Sequence, residues 1–174
     1  MTNETLETIK NRRSCRAYKP EQITDEELNA VLEAGTYAPT GMGFQSPIIL
    51  AVTNRQLRDR LSAMNARIMG RDADPFYGAP VVLVVLADKS RGTYLYDGSL
   101  VMANLMLAAH AEGLGSCWIH RAKEEFESEE GKAILKELGI EGDYEGIGHC
   151  ILGYADGPAP EAKPRKADYV KWVE

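Results

Sequence analysis

One mixed domain of helices and strands is predicted, and three observations predict it. The chain has 174 residues, close to one domain at about 150 residues each. Apolar residues make up 44% and charged residues 26%, the balance of an ordinary globular protein. An unbroken β-branched and apolar run, Val81 to Leu86, reads as a central strand, and the long helical pattern Leu95 to Glu112 follows it.

The other elements follow in chain order. Thr2 to Arg12 reads as a helix, with Leu6 and Ile9 three apart. Thr24-Asp-Glu-Glu27 is a capping box: the hydroxyl and the carboxylate satisfy backbone donors at a helix start. The helix it opens carries Leu28, Val31 and Leu32 on one face and stops near Gly35. Ala38 to Gly43 contains Pro39, Gly41 and Gly43 and reads as a loop. Ile48 to Thr53 is a short strand, and Arg55 to Met69 has helical spacing through Leu57, Leu61, Met64 and Ile68. Arg71 to Gly78 is a polar loop. Leu95 to Glu112 is apolar nearly all round, which implies burial on most sides. Gly113 to Ile119 leads into a strand, Ser128 to Leu138 is an amphipathic helix with a Ser cap, and Tyr144 to Tyr154 holds a last strand. Gly157 to Pro164 contains three of the eight prolines. Such sequence favours an extended tail at about 3.1 Å per residue, which is expected to lie on another surface.

Composition excludes several classes. A chain of this size buries roughly 70% of its unfolded surface, enough for a full core. The net charge is −6, and nucleic-acid binders are usually basic. No apolar run reaches the length of a membrane span; the longest, Ala79 to Ala87, contains Pro80. The start lacks a signal-peptide pattern, and three widely spaced cysteines (Cys15, Cys117, Cys150) form neither a disulfide framework nor a zinc motif. A cytoplasmic location is therefore expected.

The chemistry concentrates in a few places. Arg12-Arg13-Ser14-Cys15-Arg16 puts three guanidinium groups and a hydroxyl within five residues. Like charges this close repel unless an anion sits among them, and arginine matches phosphate geometry. A second basic cluster, Lys163-Pro-Arg165-Lys166, lies at the far end of an acidic chain. Two local basic spots suit a small anionic ligand better than a nucleic-acid track. In the Pro39 to Pro47 loop, glycines allow close backbone approach to a flat ligand. Gly113-Leu-Gly115 is not a dinucleotide fingerprint, because it follows a helix and Trp118 stands where a third glycine is needed. His110, His120 and His149 are isolated in sequence; His110 reads as a core residue, and Cys117 and Cys150 as buried, inert thiols. No nucleophile-base-orienter set is visible, so an organic cofactor would carry any reaction.

Five segments together resemble the FMN-dependent nitroreductase family. They are Arg12-Arg-Ser-Cys-Arg16-Ala-Tyr18; Ala38-Pro-Thr-Gly-Met-Gly-Phe-Gln45-Ser-Pro47; Tyr77-Gly-Ala-Pro80; the helix end Asn104 to Ser116; and Leu152-Gly-Tyr154 before the basic tail. Their order and spacing over nearly the whole chain carry the resemblance. It implies an α+β fold with a mostly antiparallel central sheet flanked by helices, in an intertwined homodimer whose C-terminal tail embraces the partner. Residues 1–174 would form a single flavin-binding domain, with 157–174 as the extended tail.

By similarity, Arg12, Arg13, Ser14 and Arg16 would hold the FMN phosphate and ribityl chain, with Lys163 and Arg165 closing from the tail. Pro39, Thr40, Gly41 and Met42 would come from the partner and line the flavin. Ile119, His120 and Arg121 fall where the family passes backbone along the ring near N5, and Asn65 matches a polar contact. Gly43 stands where many members have Asn, which removes one side-chain contact. The implied activity is hydride transfer from NAD(P)H through FMN to nitro compounds, quinones or similar electron-poor small molecules, in a ping-pong cycle. The flavin carries the chemistry, so no catalytic side chain and no metal is expected. Two rivals remain: a specialised flavin enzyme of the same fold, and a non-catalytic flavin- or nucleotide-binding regulator.

Overall fold

The computed structural model describes residues 3–174. Thr2, the expected start of the first helix, lies outside the described residues. Helix α1 spans Glu4–Asn11, where the Asn3 side chain accepts from the N–H groups of Thr5 and Leu6. Helix α2, Asp25–Thr36, opens on the full capping box: Thr24 accepts from the Glu27 N–H, and the Glu27 carboxylate accepts from the Thr24 N–H. A single 3₁₀ turn, Gly41–Gly43, interrupts the loop that follows.

Strand β1 is Ile48–Val52. Helix α3, Arg55–Met69, starts at an Asn54 cap and ends at Gly70, whose φ of 68° is the left-handed stop glycine adopts cheaply. Strand β2, Val81–Asp88, leads to helix α4, Tyr94–Ala111, and strand β3, Gly115–Ile119. Helices α5, Ala122–Glu127, and α6, Glu129–Glu137, precede strand β4, Tyr144–Gly153.

The four strands form one sheet in the order β1-β2-β4-β3, every neighbouring pair antiparallel. The expected α+β class with an antiparallel sheet is therefore found. Strand β2 is central and buried on both faces, which is why its run never alternates with polar residues. Val82, Val84 and Leu86 pack in a core with Leu61, Met64 and Phe126, from α3 and α5. Val81, Leu83 and Val85 face the opposite core with Val31, Met102 and Leu105, from α2 and α4. A bulge between Val85 and Leu86 leaves Ile147 of β4 as the extra residue.

Two expectations need correction, and one element, α5, went unread. Helix α5 carries no signal in the sequence; it is six residues long and too short to show a helical period. Helix α4 is not buried on most sides: Leu95, Tyr96 and Leu100 are exposed. His110 is only half-buried, whereas the fully buried histidine is His149.

Candidate functional site

The segment after α1 is laced to the sheet. Ser14 forms a parallel bridge with Ser116 of β3, and the Cys15 N–H donates to the Ser116 carbonyl at 2.9 Å. Further along, Tyr18 bridges to Ala155, and the Lys19 N–H donates to the Tyr154 carbonyl at 2.9 Å. Arg12 to Arg16 are thereby fixed along the β3 edge.

The three arginines have different surroundings. Arg12 caps the end of α1, and its Nη1 is buried with no hydrogen-bond partner among the described residues. Its charge is felt at the buried Cys150 thiol, although desolvation dominates there and pushes that group up to about 12. Arg13 turns back, its Nη1 donating to the carbonyls of Lys10 and Arg12. Arg16 is exposed and lines a cleft of about 340 Å³ with Tyr77, Trp118, Ile119, His120 and Arg121. The Ser116 hydroxyl is also buried, with no hydrogen-bond partner among the described residues.

The turn from β3 into α5 forms one wall of that cleft. Arg121 sits at φ 79°, a left-handed conformation that costs a non-glycine residue about 1–2 kcal/mol. Behind it, the Asn65 side chain donates to the His120 carbonyl at 2.8 Å and to Glu125, and accepts from Arg121 Nη1 at 3.3 Å. Asn65 thus supports the wall from inside rather than facing the cleft.

The Pro39 loop lies elsewhere on the protomer. Thr40 borders a second cleft, beside Leu32, Gly35, Ile49 and Val101. The Gly41 N–H donates to Asp97, and Thr40 Oγ1 accepts from the Gln45 N–H. Met42 and Gln45 have φ of 54° and 51°, so the loop holds two non-glycine left-handed residues, and Met42 is 92% exposed. Gly43, at φ 71°, has open space around its Cβ position, so only the left-handed backbone opposes a side chain there. Lys163 and Arg165 are exposed in the tail, where Arg165 donates to the Lys163 carbonyl.

One chain therefore brings Arg16, Ile119, His120 and Arg121 together, with Asn65 behind them. It does not bring the Pro39–Met42 loop or the tail cations to that cleft. The donors suit a phosphorylated flavin. Arg16 and Arg121 both line the cleft, and guanidinium groups match phosphate geometry. The cleft wall mixes Tyr77, Trp118 and Ile119, which suit a flat ring, with charged Arg16, Arg71, Asp74 and Arg121. Among the described residues, no group of three His, Cys, Asp or Glu side chains could hold a metal, and no helix is long and apolar enough to cross a membrane. Sequence reasoning misses Glu125 and His149, because their partners are distant along the chain.

The sequence matches the profile of the nitroreductase family over residues 9–72 and 66–154. A protein of Methanothermobacter thermautotrophicus, provisionally named NADH dehydrogenase/NAD(P)H nitroreductase, is 30% identical over 120 residues, 66% of this chain and 60% of that protein. A protein of Archaeoglobus fulgidus with the same provisional name is 31% identical over 156 residues, 87% of this chain and 85% of that one. The chain thus spans less than two thirds of the first relative and most of the second. A crystal structure of a nitroreductase with bound FMN from Bacteroides fragilis superposes with a TM-score of 0.89 at 35% identity, covering 99% of this chain and 100% of that one.

Proposed function

The chain belongs to the nitroreductase family, and we propose that it is an FMN-dependent NAD(P)H oxidoreductase acting as a homodimer of one flavin-binding domain per chain, residues 1–174. The observation that carries this reading is a cleft of about 340 Å³ on which Arg16 and Arg121 converge with the Ile119–Arg121 turn, beside the segment Arg12 to Arg16 that is laced to β3. Arg12 and Ser14 hold the phosphate and ribityl chain, and Arg13 stiffens the turn between them through its carbonyl contacts. Arg16, which lines the cleft, joins them at the phosphate and ribityl chain. Ile119, His120 and Arg121 present backbone along it, with Asn65 as their support.

A second copy completes the site. The Pro39, Thr40, Gly41 and Met42 loop, exposed at its tip, reaches across to line the flavin of the other protomer. Tyr96 and Leu100 of α4, Leu6 and Ile9 of α1, and Trp172 of the tail are large apolar groups left exposed on the isolated chain. Surfaces of this kind are covered by a partner in stable assemblies. The tail residues 157–174 embrace that partner and bring Lys163 and Arg165 to the phosphate.

Bound FMN supplies the hydride relay, from NAD(P)H to nitro compounds, quinones or similar electron-poor small molecules in a ping-pong cycle. The polypeptide binds, orients and charges the surroundings of the ring. Anaerobic mixing tests the reading. NADH or NADPH is expected to bleach the yellow protein, and a nitroaromatic to restore its colour. A yellow protein that neither nucleotide bleaches would instead be a flavin-binding regulator.

A further inference from the structure

Behind the Ile119–Arg121 turn lies a closed polar cluster that binding of a flavin does not use directly. Asn65, Glu125 and His149 are each 0% exposed. Glu125 accepts from Asn65 Nδ2 through one carboxyl oxygen, and its other oxygen lies 3.1 Å from His149 Nε2. Asn65 Nδ2 also donates to the His120 carbonyl, and His149 Nδ1 lies 3.4 Å from the Ile119 carbonyl. The imidazole is thus set between two oxygen acceptors. Satisfying both takes a ring N–H at Nδ1 and one further proton shared with Glu125 at Nε2. The Phe76 ring packs on the other side, 5.1 Å from the imidazole centre.

We propose that Asn65, Glu125 and His149 are positioning residues that set the peptide planes of the cleft wall, so that the N–H groups of His120 and Arg121 face the redox site. The inference rests on the flavin reading above. Every peptide bond among the described residues is trans, so the C=O and N–H of one peptide unit point in opposite directions. The Ile119 carbonyl shares its plane with the His120 N–H, and the His120 carbonyl shares its plane with the Arg121 N–H. Drawing both carbonyls inward turns both N–H groups outward, to the cleft. The left-handed Arg121 shows that this geometry is imposed by the surroundings, since such a conformer persists only when neighbours over-determine it. A fully satisfied buried polar network fixes a single arrangement where apolar packing would allow several. Fixed donors aimed at a dry site stabilise negative charge there without reorganising.

Two measurements test this on the holoprotein and on the flavin-free protein. Asn65→Ala removes the donor to His120. It is expected to weaken binding of reduced FMN about tenfold relative to oxidised FMN, which lowers the two-electron midpoint potential by about 30 mV. In the flavin-free protein, the ¹⁵N order parameters of His120 and Arg121 are expected to fall from about 0.85 to below about 0.6. Glu125→Gln keeps the shape and the acceptor for Asn65, and is expected to retain both values. Leu61→Ala, a core change elsewhere on α3, should lower stability and leave the potential alone. An unchanged potential and a rigid turn in Asn65→Ala would overturn the proposal. Should that variant not fold, His149→Phe keeps the ring packing on Phe76 while removing both ring nitrogens; it must show the same downward shift, and an unshifted potential is equally fatal. A wild-type protein that takes up no FMN would remove the flavin reading instead, and the order parameters would still decide whether the cluster holds the turn.

Discussion

The buried carboxylate of Asp97 accepts from the main-chain N–H of Gly41 at 3.0 Å, tying the first turn of α4 to a loop 56 residues earlier. The other carboxylate oxygen accepts from the Thr93 hydroxyl at 2.9 Å. This bond anchors the base of a loop whose tip, Met42, stands free in a left-handed conformation.

Asp97→Ala should release that loop. Hydrogen bonds to charged groups are worth about 1.5–3 kcal/mol, and the loss should appear as a lower melting temperature. Flavin retention should fall with it, because the released loop lines the proposed site across the dimer. Asp97→Asn keeps an acceptor and should be milder in both assays.

Close packing of β4 against α5 gives a second expectation. A Cβ on Gly146 would stand 2.2 Å from the Ala122 carbonyl oxygen, which is backbone and cannot yield cheaply. A Cβ on Gly98 would meet the Ile147 side chain first, at 2.5 Å. Gly146→Ala is therefore expected to cost about 3 kcal/mol and Gly98→Ala about 1 kcal/mol, across the usual range for overpacking. Denaturant unfolding of the two variants checks the order. Gly146→Ala should also shed flavin, since Ala122 directly follows the strained Arg121.

Much of the fold was legible because local signals and tertiary packing agree. The box at Thr24 and Glu27, the period through Leu57, Leu61 and Met64, and the unbroken β2 run each have one structural solution. Of the cleft cations, Arg16 was legible in the basic cluster Arg12 to Arg16 and Arg121 through the family resemblance. What stayed hidden depends on pairing across the chain. His149 has no ligand-spaced neighbour in sequence, yet in the fold it meets Glu125, 24 positions away. The resemblance makes Asn65 a polar contact to the flavin; in the fold it is wholly buried and donates to the His120 carbonyl. The open face of α4 carries the same apolar residues as a buried helix, so composition alone could not separate core from contact surface.

Asp74 should contribute to acid sensitivity. Burial works against its charged form, but hydrogen bonds from Arg58, Ser62 and the N–H groups of Gly78 and Phe76 outweigh it and hold the carboxyl below the usual range. A depressed folded value means the contribution is complete above the unfolded value of about 3.9. It is then lost as pH falls through the lower, folded value. The melting temperature should therefore drop as pH is lowered through about 4 and below, and Asp74→Asn should flatten that limb.

Thiol labelling probes the core. Cys150 is fully buried, and burial pushes its thiol up to about 12, with the Cys117 thiol adding to the rise. Cys117 is 2% exposed and Cys15 is half-buried. A thiol reagent at a pH of about 8, near the ordinary thiol range, should modify at most one cysteine, Cys15, in the folded protein and all three after denaturation. Rapid labelling of Cys150 under native conditions would contradict the packing of β4.

The most direct test of the central claim is calorimetric titration of the flavin-free protein with FMN, comparing wild type with Arg12→Ala. Losing one charge-assisted hydrogen bond of about 1.5–3 kcal/mol corresponds to roughly a 10- to 150-fold weaker dissociation constant. One FMN per chain is expected in wild type and a loss of that size in the variant, with helicity and melting temperature unchanged. A variant that binds FMN as tightly as wild type would contradict the phosphate-holding role of Arg12.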